Sequence, residues 1–95
     1  MRDYEVMFII RPDLDEAAIE GVINKFEELI KNGGGEILKL DRWGKRRLAY
    51  EIQHLSEGFY VVIQFKAPSE LAHELERVLR ITDEVIRHLV TRKDE

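Results

Sequence analysis

The chain contains no cysteine, which excludes disulfides, thiolate nucleophiles and cysteine-ligated zinc together. It lacks any apolar run near the roughly 18 residues a membrane-spanning helix needs. Its start, Met1-Arg2-Asp3-Tyr4-Glu5, sets acids where a secretory signal requires an apolar stretch. Two prolines and six glycines in 95 residues, with no repeat or low-complexity tract, leave no candidate linker. A soluble cytoplasmic protein with no membrane association is expected, with residues 1–95 forming one domain. Net positive charge is missing too. Fifteen Lys/Arg stand against nineteen Asp/Glu, a balance of −4, which taken alone argues against a general nucleic-acid binder.

The distribution of charge changes that reading. Residues 1–36 hold four bases and nine acids, and residues 51–76 hold one base and five acids. Between them, residues 37–50 hold five bases and one acid, and residues 77–93 hold five bases and two acids. Clusters, not totals, set the local field that a phosphate meets.

Hydrophobic periodicity orders the elements. Residues 4–10 alternate as a strand, with Tyr4, Val6, Phe8 and Ile10 on one face and Glu5, Met7 and Ile9 on the other. After Arg11-Pro12, Asp13 is positioned to cap a helix, with Glu16 at capping-box spacing. Ile19, Val22, Ile23, Phe26, Leu29 and Ile30 form its apolar stripe, and Asn32-Gly33-Gly34-Gly35 ends it. Residues 36–43 read as a second strand, imperfect enough to suggest an edge or a bulge, with 44–52 as its basic extension. Residues 53–58 are expected to turn, and 59–66 alternate cleanly. Ser69 is expected to cap a second helix carrying Leu71, Leu75, Val78 and Leu79. A last strand follows over 85–92. The order βαββαβ predicts a four-stranded antiparallel sheet with both helices on one face and the first and third strands central. Because Gln64 and Lys66 cannot lie beneath a helix, Phe59, Val61, Ile63 and Phe65 must. Met7, Tyr60 and Val62 then fall on the uncovered face, as an apolar surface suited to docking a protein.

Catalysis finds no support. His54, His73 and His88 lack metal-ligand spacing, Ser56 and Ser69 lack a nucleophile setting, and the helix carboxylates fall on outer faces. No metal or cofactor is expected. The three glycines follow a helix instead of preceding one, so they are a cap and not a phosphate cradle. Arg42-Trp43-Gly44-Lys45-Arg46-Arg47-Leu48-Ala49-Tyr50 differs in kind: it joins four cations and two aromatics in nine residues. Guanidinium groups bind phosphate bidentately and aromatics stack unpaired bases. A sheet-face reader of the RRM type does not fit, since Glu57, Tyr60, Val61 and Gln64 depart from its third-strand pattern.

The stretch Gly44-Lys45-Arg46-Arg47-Leu48-Ala49-Tyr50-Glu51-Ile52 resembles the signature of the bacterial small-subunit ribosomal protein six family. Arg2 with Tyr4-Glu5, Glu57-Gly58-Phe59-Tyr60, and Leu79-Arg80-Ile81 leading to Val85-Ile86-Arg87 agree with it. The resemblance implies an α+β, ferredoxin-like sandwich without enzymatic activity, placed in the 30S subunit. It also implies binding to the central domain of 16S rRNA as a heterodimer with small-subunit ribosomal protein eighteen. By position it assigns RNA or partner contact to Lys45, Arg46, Arg47 and Tyr50, and places Arg2, Arg80 and Arg87 in the same zone. Isolated, the chain is expected to be a monomer. An alternative of the same topology is a small-metabolite regulatory domain working as a homodimer.

Overall fold

The computed structural model describes residues 1–93. Six elements run in the order β1 (Arg2–Ile10), α1 (Glu16–Asn32), β2 (Glu36–Ile52), β3 (Leu55–Ala67), α2 (Ser69–Ile81) and β4 (Val85–Arg92). The strands form one sheet in the order β2-β3-β1-β4, and every neighbouring pair is antiparallel. The expected architecture is therefore present, with β1 and β3 central. Their alternate residues Val6, Phe8, Ile10, Val61, Ile63 and Phe65 are fully buried against Ile23, Phe26 and Ile30 of α1 and Leu75 and Leu79 of α2. Phe8 meets Phe26 at 5.2 Å between ring centroids, and Tyr4 stacks on Phe65 at 5.5 Å.

Three local expectations are corrected. Asp15, not Asp13, caps α1, accepting from the Ala18 amide at 2.8 Å. Asp13 is drawn away by the Arg11 guanidinium, two residues back, in a bond at 3.0 Å. Pro68, not Ser69, caps α2, without a side-chain bond. Its carbonyl accepts from the Leu71 and Ala72 amides, and its fixed φ presets the helical entry. The β2–β3 connection is far shorter than residues 53–58. Only Gln53 and His54 turn, both with left-handed φ, and Leu55 already belongs to β3.

That shorter turn lengthens the hairpin. β1 ends where Ile10 pairs with Phe59, yet β2 and β3 continue to pair through Arg46–Gly58 and Arg47–Glu57 to Ile52–Leu55. An arm thus extends past the end of β1. Its register breaks between Arg47 and Ile52, and it bends so that the Tyr50 hydroxyl, from β2, accepts a bond from Arg87 of β4 at 2.7 Å.

The uncovered face differs from expectation in one respect. Met7 and Tyr60 are half-buried, but Val62 is only 7% exposed, as are Leu48 at 7% and Ile9 at 2%. Ile9 and Leu48 close on Gly58 in a small apolar contact outside the main core. Gly58 makes it possible, because a Cβ there would stand 2.2 Å from Ile9 Cγ2 and 3.6 Å from Leu48 Cδ2. Val62 shares the face that parity assigns to it but is buried there between Met7 of β1 and Asp41 of β2. Leu89, opposite Met7 on β4, is exposed, as are Trp43 and Tyr50 of β2.

Candidate nucleic-acid interface

Strand alternation divides the basic segment between the two faces of β2. Arg42 pairs with Val61 and Lys45 with Phe59, both of which face the helices, while Arg46 pairs with Gly58 on the open side. Arg42 turns to α1 and forms a two-bond fork with Glu20, both contacts at 2.8 Å. The fork holds the Glu20 carboxyl below its ordinary value and Arg42 above its own, chiefly by hydrogen bonding. Arg42 is thereby committed within the chain. Lys45 lines a cleft of about 430 Å³ with Leu14, Ile19 and Phe59, rimmed by Glu16 and the Glu20–Arg42 pair.

Arg46 takes a different partner. It lies 5.4 Å from the Trp43 ring centroid, and that ring is stacked on Tyr60 with planes 12° apart and centroids at 6.3 Å. The sequence produces this through a bulge. Register shifts between Arg42 and Gly44, and Gly44 adopts φ 83°, which favours glycine. The bulged residue Trp43 is tipped toward Tyr60. A second pair of the same kind sits on the open side of β4, where the Arg87 guanidinium is 5.8 Å from the Tyr50 ring it bonds.

Most cations of the chain are neutralised internally. Arg11, Lys31, Lys39, Arg42, Lys66, Arg77, Arg80 and Lys93 each sit within 4.0 Å of a carboxylate. Among the described residues, no ion pair joins Arg2, Lys45, Arg46, Arg47 or Arg87. Four of those five lie on or against the β2–β3 arm; Lys25, also without an ion pair, instead donates to the Thr82 hydroxyl at 3.1 Å. Unsatisfied cations on a chain of net charge −4 mark where an anion is best received. The guanidinium groups of Arg46 and Arg87 instead rest on aromatic rings, which hold a planar fork in place without neutralising it.

Two of the sequence-assigned residues stand apart. Arg80, in the last turn of α2, is bound to Glu76 at 3.1 Å. Arg2 pairs with Ala67 at the opposite end of β1 from the arm, a strand length of roughly 26 Å. Sequence reasoning left Trp43 out of the site, although its place amid four cations was the available signal. Among the described residues, no group of three or more His, Asp or Glu is gathered to hold a metal ion, and no helix is long and apolar enough to cross a membrane.

An α+β sandwich with an open sheet face and a cationic, aromatic hairpin arm defines a class of small binding proteins. The family model for Ribosomal protein S6 matches residues 3–92. Small ribosomal subunit protein bS6 of Carboxydothermus hydrogenoformans is 55% identical over 100% of this chain and 99% of its own length. The bS6 protein of Moorella thermoacetica is 52% identical over 100% and 97%. A crystal structure of 30S ribosomal protein S6 from Thermotoga maritima superposes with a TM-score of 0.92 at 39% identity, covering 97% of this chain and 87% of the other. The chain belongs to the ribosomal protein S6 family. It is a structural component of the small ribosomal subunit and not an enzyme, which displaces the alternative of a metabolite-sensing homodimer.

Proposed function

We propose that the chain binds the central domain of 16S rRNA jointly with small-subunit ribosomal protein eighteen, as a heterodimer that forms from an isolated monomer. The observation that carries this reading is the concentration of acid-free cations, Lys45, Arg46, Arg47 and Arg87, on and against one aromatic-bearing arm. Tyr50 takes part by fixing Arg87. Arg2 serves a separate contact at the far end of the sheet, and Arg80 acts only once its bond to Glu76 is exchanged for a phosphate. The protein partner occupies the open face around Met7 and Tyr60, with Val62 stiffening the surface from below.

Charge makes binding conditional. The acidic outer faces of α1 and α2 repel RNA at long range, and four arm cations neutralise only a few phosphates. A basic protein on the open face reverses the net sign and enlarges the contact. Binding of a central-domain transcript should therefore be weak for the chain alone and tight with the partner present. A filter-binding titration of both forms tests this. Equally tight binding without the partner, or a heterodimer that fails to bind the transcript, contradicts the reading.

A further inference from the structure

Trp43 is the single tryptophan of the chain, and 48% of it is exposed. An exposed indole on an edge strand is costly to solubility and contributes little to a core. The main core does not include it. Its orientation is nonetheless defined. Gly44 supplies the left-handed residue of the bulge, Tyr60 supports the ring in a near-parallel stack, and Arg46 holds its guanidinium against it. Trp43 is thus contacted by Tyr60 and by Arg46, with about half of the side chain facing solvent.

We infer that Trp43 is a stacking platform for an unpaired base of the bound RNA, with Arg46 supplying the adjoining phosphate contact. The inference rests on the RNA reading above and deepens it. Base–aromatic stacking needs a flat apolar ring, held rigid so that little entropy is lost, next to a cation for the backbone. All three are met here. The surroundings favour RNA over the protein partner. Arg46 lies against the ring, and the nearest β2 acid in sequence, Asp41, is engaged by Lys39 at 3.5 Å. On the Arg46 side of the ring a basic protein would meet like charge, whereas a nucleotide would not. A base on Trp43 also explains the division of β2, which aims Arg46 at the stack and Lys45 along the opposite side of the same edge strand. A nucleic-acid backbone passing along that edge meets cations from both faces.

The lone indole reports on the site directly. The chain, complexed with protein eighteen, is titrated with a central-domain transcript while tryptophan emission of this chain is followed, using a partner preparation without tryptophan. Stacking predicts quenching that saturates together with filter-bound RNA. Trp43→Ala should weaken RNA binding by about 5- to 150-fold, the range for loss of one stacked base. It should do so without altering the salt dependence, because no charge is removed. Trp43→Phe should recover part of the loss. RNA binding by the wild-type complex with unchanged emission overturns the platform, as does Trp43→Ala binding like wild type. An emission change produced by the protein partner alone, with none on adding RNA, likewise overturns it and gives the indole to the protein interface. In each of these outcomes RNA binding itself stands. Only a wild-type complex that does not bind the transcript removes the parent reading as well.

Discussion

Replacing Gly58 by alanine tests the packing that holds the arm in place. The backbone there is not left-handed, so the added methyl costs nothing in φ and its effect is purely steric. Its carbon would lie 2.2 Å from Ile9 Cγ2, over an ångström inside ordinary contact, while Leu48 at 3.6 Å is already at van der Waals distance. Ile9 cannot yield easily. It is 2% exposed, lies between β3 and β4, and its β-branched side chain has little χ1 freedom. Overpacking of this sort costs about 1–3 kcal/mol. For a domain of this length that is a fall in Tm of roughly 4–8 °C per kcal/mol. Urea unfolding of Gly58→Ala should show a lower midpoint with an unchanged m-value. The double variant Gly58→Ala/Ile9→Ala should regain stability relative to the sum of the single changes, as expected for residues in direct contact. A Gly58→Ala protein as stable as wild type, or additive single effects, would refute the close-approach argument.

Other expectations follow from the same geometry. Phe8→Ala, at a fully buried position, should lose about 3–5 kcal/mol in chemical denaturation, while exposed Arg46→Ala should stay within roughly 0.5 kcal/mol of wild type. The Arg42 fork depresses the Glu20 pKa in the folded state, so its stabilisation is full above the ordinary value of 4.5 and is lost as pH falls through the depressed one. Glu20→Gln should therefore cost less than about 1 kcal/mol near neutral pH, since the pair is exposed, and the gap in Tm between the two proteins should close in acid. His54→Gly should relieve about 1 kcal/mol of left-handed strain at the hairpin tip, raising the urea midpoint.

The strand order and both helix stripes were legible because parity and the 3.6-residue period report directly on which side is buried. Phe59 to Lys66 could be oriented by Gln64 and Lys66 alone. The β2 half of the arm, 44–52, is legible as an extended basic stretch, but its β3 half, 55–58, is not, and the reason is physical. Gly58 reads as turn punctuation, yet its missing Cβ serves Ile9, a residue forty-nine positions earlier whose approach no local pattern reveals. Gln53-His54 carries none of the glycine or asparagine expected of a two-residue turn, so the local pattern predicts a loop over 53–58 and hides the return of β3 along the extension. Val62 follows the correct parity, but it lies between β1 and β2 within the sheet and is 7% exposed, a tertiary effect that parity does not report. In the candidate site, composition marks the segment 42–50 as a whole, and the family resemblance singles out Lys45, Arg46, Arg47 and Tyr50 within it. Composition alone did not show that Arg42 and Arg80 are bound to Glu20 and Glu76 while the others are acid-free.

The most direct measurement of the central claim is the salt dependence of RNA binding by the heterodimer, with Arg46→Ala/Arg47→Ala against wild type. Each phosphate contact that is lost should reduce the slope of log K against log salt by roughly 0.7–0.9, and two cations without acidic partners should account for up to two such contacts. The account predicts a slope shallower by about 0.7–1.8, with the variant as stable as wild type in urea. An unchanged slope, or a loss of binding explained by unfolding of the variant, would contradict it.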